Sequence, residues 1–145
     1  MSTLKFLIAL LATTFLLLGS AFAQTNAATP PTVTIRSQAN YLTMMNVFTP
    51  TEGTQDDVIA AVNKGLDEQV SKLPGFINAT VHRSLDNDYV VVYAQWRDRV
   101  AVDEAIKVIQ AGGAPDMMRA FTLASPELHP YQVVSIHTNK EGLPE

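Results

Sequence analysis

LPGFINATVHRSLDNDYVVVYAQWRD, residues 73–98, is the stretch whose reading decides the fold. Pro74-Gly75 ends a helix and starts a strand. From Phe76 to Ser84 the chain alternates, with Ile77, Ala79 and Val81 on one face and Asn78, Thr80 and His82 on the other. Asp86-Asn87-Asp88 tolerates left-handed turn geometry and reverses the chain. Tyr89 to Trp96 is β-branched and aromatic and forms the returning strand, which ends in the only tryptophan.

Upstream, Tyr41 to Thr49 reads as a strand stopped by Pro50, with Leu42, Met44, Asn46 and Phe48 on one face and Tyr41, Thr43, Met45 and Val47 on the other. Both faces are largely apolar, so this strand is expected at the centre of a sheet, covered on both sides. Thr54 caps the next helix, with Asp57 completing a capping box. Val58, Val62, Leu66, Val70 and Leu73 make its buried stripe, and Gly65 within it marks a close packing contact. Downstream, Asp98 caps a second helix that Gly112-Gly113 terminates, and Pro115 opens a shorter helix closed by Ser125-Pro126. Tyr131 to His137 is expected as the last strand.

The order is β-α-β-β-α-β with an extra short helix, an α+β, ferredoxin-like pattern with an antiparallel sheet. Crossover handedness is taken to set the first and third strands side by side and parallel at its centre. Helices cover one face. The other, with Tyr41, Met45, Val47, Val91 and Tyr93, is too apolar to leave in water, and a second copy of the sheet is its expected cover.

Residues 1–23 are read as a signal peptide: Lys5 is the positive region, Phe6 to Leu18 the apolar core, and Ala21-Phe22-Ala23 the cleavage site. The apolar run is too short for a spanning helix of about 20 residues. The domain organisation is therefore a signal peptide (1–23), a flexible leader (24–40), one domain (41–138) and a loose tail (139–145). The product is expected to be exported, periplasmic or extracellular, with no stable membrane association after cleavage. The formal net charge of −4 becomes one unit more negative on loss of Lys5, which argues against nucleic acid as a partner. Zero cysteines exclude a disulfide framework, thiolate metal sites and a cysteine nucleophile. His82, His129 and His137 show no metal-ligand spacing, so no metal is expected. Dinucleotide and phosphate-loop fingerprints are absent, so no flavin or nicotinamide cofactor is expected either. Asn78-Ala79-Thr80 is a glycosylation sequon, but one placed mid-strand on the face assigned to the second copy.

LPGF at 73–76, His82-Arg83-Ser84 followed by Leu85-Asp86, and YAQW at 93–96 together resemble the antibiotic biosynthesis monooxygenase (ABM) domain family. The likeness extends back to Met45-Asn46-Val47-Phe48-Thr49 and forward to His129–His137. The resemblance implies a dimeric α/β barrel, hence a homodimer, with the active site between sheet and helices. It further implies a cofactor-independent monooxygenase that oxidises a phenolic or quinol-type aromatic compound with molecular oxygen. Asn46 matches the family's first-strand asparagine and Trp96 its tryptophan, which makes these two the candidate catalytic residues. Met44, Phe48, Val92 and Ala94 are the expected pocket around them. An amide and an indole N–H among apolar side chains suit a flat, partly polar aromatic ligand. Quinone-forming members often carry a second asparagine four residues before the tryptophan; this chain has Val92, which can neither donate nor accept a hydrogen bond. The alternative reading is accordingly a non-catalytic dimeric barrel that binds a small aromatic molecule. Haem-degrading relatives take an axial histidine from a helix after the third strand, and no histidine lies between Trp96 and His129.

Overall fold

A computed structural model describes residues 31–35 and 41–138. The expected signal peptide, most of the leader and the tail 139–145 lie outside the described residues. Strand β1 (Leu42–Pro50) leads into helix α1 (Gln55–Glu68), a single tight turn (Val70–Lys72), and the hairpin of β2 (Phe76–Arg83) and β3 (Val90–Trp96). Helix α2 (Arg99–Val108), a wide turn (Ile109–Gly113), helix α3 (Pro115–Leu123) and strand β4 (Ala124–Tyr131) complete the domain. Among the described residues no helix is long and apolar enough to cross a membrane.

The capping chemistry is in place. Thr54 Oγ1 accepts from the Asp57 amide, and the Asp57 carboxylate accepts from the Thr54 amide and hydroxyl. Asp98 accepts from the Ala101 amide at the start of α2. Asn87 (φ 66°) supplies the left-handed residue of the hairpin turn.

The sheet order is β2-β3-β1-β4 and every pairing is antiparallel. β1 and β3 are neighbours at the centre as expected, but they run antiparallel, not parallel. The reason lies in the hairpin: the α1 crossover makes β2 parallel to β1, and the tight turn before β3 reverses the chain, so β3 enters between them in the opposite sense.

Two boundaries differ from the sequence reading. The last strand is Ala124–Tyr131, not Tyr131–His137, and residues 132–138 carry no regular structure. Pro126 reads as a breaker, yet β4, which holds it and Pro130, is an edge strand, and an edge tolerates proline where the missing N–H faces outward. The first helix stops at Glu68, and the tight turn that follows keeps Val70 buried.

The core lies between sheet and helices, with Phe48, Val58, Val62 and Val90 buried almost completely. Gly65 is where α1 and α3 come closest. A Cβ there would lie 2.8 Å from the Met117 backbone nitrogen. The hairpin is tied to α1 by Gln55, whose amide donates to the Ser84 and Tyr89 carbonyls at 3.0 and 2.8 Å. Arg83 in turn donates to Gln55 Oε1 and pairs with Asp56. Arg83 thereby fastens β2 to the start of α1.

Candidate active site

Strand alternation builds the site. Met44, Asn46 and Phe48 on β1 share the helix-facing side with Val92, Ala94 and Trp96 on β3. These six side chains line one cavity of about 120 Å³. Its roof is Leu66 and Val70 from the α1 region, Val102 and Ile106 on α2, and Met117 and Phe121 on α3. Leu128 on β4 and Gln110 in the wide turn complete the wall.

Asn46 faces Val92 across one strand pair and Leu128 across the other. Trp96 pairs with Leu42, four positions along β1 from Asn46. At a rise of ~3.3 Å per residue this separates the two backbones by about 13 Å. Asn46 and Trp96 therefore border the same cavity from different ends and are not neighbours.

Burial changes across the cavity. Trp96 (5 % exposed), Val102 and Val70 are buried where they line it, whereas Leu128 (40 % exposed) and Gln110 are exposed, so the cavity opens to solvent along these two residues. Trp96 is braced by Phe76, edge to face at a centroid distance of 5.3 Å. A β-bulge between Phe76 and Asn78 brings Phe76 onto the helix side. Simple alternation put it with Asn78 instead.

The electrostatics are sparse. Among the described residues no Asp, Glu, His, Lys, Arg or Tyr lines the cavity. Neither end of the Asn46 amide is hydrogen-bonded within the protein among the described residues, and its buried Oδ1 is unsatisfied. The unsatisfied atom is an acceptor on a half-buried residue, so a ligand hydroxyl that donates to it offsets a cost of at most about 1–3 kcal/mol, and the amide NH2 is left free to donate. The carboxylates held below the ordinary range stand elsewhere: Asp57 by its bonds from Thr54, Asp86 by the Ser84 hydroxyl, and Asp98 by Arg97. His82 contacts Thr80, His129 lies 3.5 Å from Glu127, and no group of three potential metal ligands occurs among the described residues.

Residues 41–107 match the family model for antibiotic biosynthesis monooxygenase (ABM). Over this stretch the chain is similar to the ABM domain family. The match runs from the start of β1 through most of α2, and α3 and β4 follow it in the chain. Tetracenomycin-F1 monooxygenase of Streptomyces glaucescens is 34 % identical over 64 residues, 44 % of this chain and 57 % of that protein. The chain thus aligns with little more than half of that relative. SnoaB, a cofactor-independent oxygenase from Streptomyces nogalater, superposes with a TM-score of 0.56 at 25 % identity, over 74 % of this chain and all of SnoaB. The ActVA-Orf6 monooxygenase of Streptomyces coelicolor, solved with nanaomycin D, has a TM-score of 0.56 at 21 % identity, over 70 % of this chain and 93 % of that one. The last likeness speaks for the fold alone.

Sequence reasoning missed Phe76, Gln110, Leu128 and the individual residues of the cavity's helical roof. Phe76 is hidden by the bulge, and Leu128 by prolines that disguise its strand. Gln110 sits in a turn with no periodicity. The one signal pointing to it is the Gly112-Gly113 pair that follows, which breaks the helix and sets the turn.

Proposed function

We propose that this ABM domain is a cofactor-independent monooxygenase that oxidises a phenolic or quinol-type aromatic compound with molecular oxygen. One observation carries the reading: an unpartnered amide, Asn46, projects into a largely apolar cavity large enough for an aromatic ring. The name of the structural relative SnoaB supports oxygen chemistry without a cofactor.

The chemistry follows from the lining. The substrate's phenolate supplies the electrons. The carbon para to its oxygen loses hydrogen and gains one oxygen atom; the second oxygen atom leaves as water with the two hydrogens the substrate gives up. Because no titratable side chain among the described residues faces the cavity, the phenolic proton passes to solvent where the cavity opens. The Asn46 amide donates to the substrate oxygen and holds its negative charge, while the apolar walls keep the ring flat and the reaction dry. Oxygen electrode assays with phenols in chelator-treated, flavin-free buffer test the proposal. Uptake whose pH dependence follows the ionisation of each phenol supports it; no uptake with any phenol or quinol contradicts it.

A second reading, a barrel that binds an aromatic molecule without turnover, is favoured by Val92. It is 3 % exposed and stands directly opposite Asn46, so the substrate oxygen meets one amide instead of two. Val92→Asn raises oxygen uptake if that contact limits the rate.

We read the far face of the sheet, with Met45 and Tyr93, as the surface against a second copy of the chain, giving a homodimer. Asn78 on that face is half-buried and donates to Gln95 Oε1, which suits an interface better than a glycan. The Ala21-Phe22-Ala23 signal supports an exported protein, and N-terminal sequencing of secreted material tests it by a start near Gln24.

A further inference from the structure

We infer that the cavity selects a single-ring phenol, with Gln110 at its mouth as a second hydrogen-bonding contact for the hydroxyl. The inference rests on reading the cavity as the oxygenase pocket and narrows the substrate to a size class.

Volume is the first argument. The cavity measures about 120 Å³. An enclosed apolar cavity of roughly 150 Å³ is filled by benzene. One ring therefore fills the space, and the further rings of a fused three-ring system have to extend past the open side at Leu128 and Gln110 or displace the half-buried Phe121 or Ile106. Interiors resist such displacement because they are close-packed.

The arrangement of polar groups is the second. Besides the buried Trp96 indole, the lining offers two side chains with hydrogen-bonding capacity, Asn46 and Gln110. Gln110 is exposed, as is Leu128, the cross-strand neighbour of Asn46, so both line the cavity where it opens to solvent. A ring entering from this side buries its carbon edge toward Trp96 and leaves its hydroxyl among the two amides. The carbon para to the hydroxyl then faces the driest part of the cavity, where apolar dioxygen collects. Gln110 supplies at the mouth the second contact that Val92 cannot make from the strand.

The turn that carries Gln110 is built to hold one shape. Gly112 has φ 86°, and a Cβ on Gly113 would meet Val108 Cγ1 at 2.6 Å. Both positions require glycine for the chain to leave α2 and fold back as it does.

The test uses the quenching of Trp96 fluorescence, since the chain has no other tryptophan. Phenol, a naphthol and an anthracenol are titrated without oxygen into the full mature chain, with toluene as the hydroxyl-free match for phenol. The expected order is phenol tightest and the anthracenol at least tenfold weaker. Gln110→Leu, at an exposed position that leaves folding intact, weakens phenol about five- to tenfold and leaves toluene unchanged, as loss of one hydrogen bond predicts. Tightest binding of the anthracenol, or equal phenol affinity in Gln110→Leu, overturns the inference. Oxygen uptake is read separately. Binding in the expected order without uptake keeps the pocket assignment and sinks the monooxygenase reading; uptake with the anthracenol alone does the reverse.

Discussion

Phe76 and Trp96 meet edge to face, with ring centroids 5.3 Å apart and planes at 87°. The contact exists because the bulge after Phe76 turns that ring to the helix side, opposite Trp96 on the neighbouring strand. It closes the buried end of the cavity and fixes the indole. Phe76→Ala is expected to destabilise the domain by roughly 2–4 kcal/mol, from lost burial and the ring pair together. Trp96→Phe keeps most of the packing and costs about 1–2 kcal/mol. Denaturant melts of both variants check this. Equal stability of wild type and Phe76→Ala would mean that the ring pair does not brace the site.

Gly65→Ala should lower stability although alanine favours a helix by about 1 kcal/mol. The added Cβ lands 2.8 Å from the Met117 backbone nitrogen, and backbone cannot swing aside. Overpacking of this kind costs about 1–3 kcal/mol, so the net sign is destabilising. A thermal melt decides it; a raised Tm contradicts the close packing of α1 on α3.

How much of this was legible beforehand depended on which physical signal each residue left. The alternation of β1 and β3 put Met44, Asn46, Phe48, Val92, Ala94 and Trp96 on the helix side, because period-two patterning follows directly from strand geometry. The caps at Thr54 and Asp98 were equally readable, being local hydrogen bonds between near neighbours. The bulge at Phe76 was not, since an extra residue in a strand leaves no pattern of its own. β4 was displaced because proline's penalty depends on whether a strand is at the edge, which is a tertiary fact. Gln110 belongs to the same class: its place is set by how the wide turn folds back onto the cavity.

Acid sensitivity should come partly from the helix starts. Asp57 is held below the usual carboxylate range by its side-chain and backbone bonds from Thr54, and Asp98 by Arg97 and the Ala101 amide. A depressed folded-state value means stability present above roughly pH 4, the unfolded range, and lost as pH falls through the folded values. Asp57→Asn and Asp98→Asn are expected to melt below wild type at neutral pH, with the gap closing in acid. A gap that stays constant across the titration would assign the loss to packing instead.

The far face of the sheet predicts a homodimer. Met45 (38 % exposed) and Tyr131 lie on it, and the buried Tyr93 hydroxyl is unsatisfied among the described residues. Light scattering of the mature chain at micromolar concentration should give twice the monomer mass. A well-folded monomer would remove the barrel.

The most direct test of the central claim is the oxygen consumption of Asn46→Ala with a turned-over phenol, read beside its melting temperature. If the amide holds the developing oxyanion, its loss costs on the order of 2.7–4 kcal/mol of barrier, a hundred- to thousand-fold fall in rate. Folding should change little, because Asn46 makes no side-chain hydrogen bond within the protein among the described residues. A lowered melting temperature with oxygen consumption intact would contradict the account and make Asn46 a structural residue.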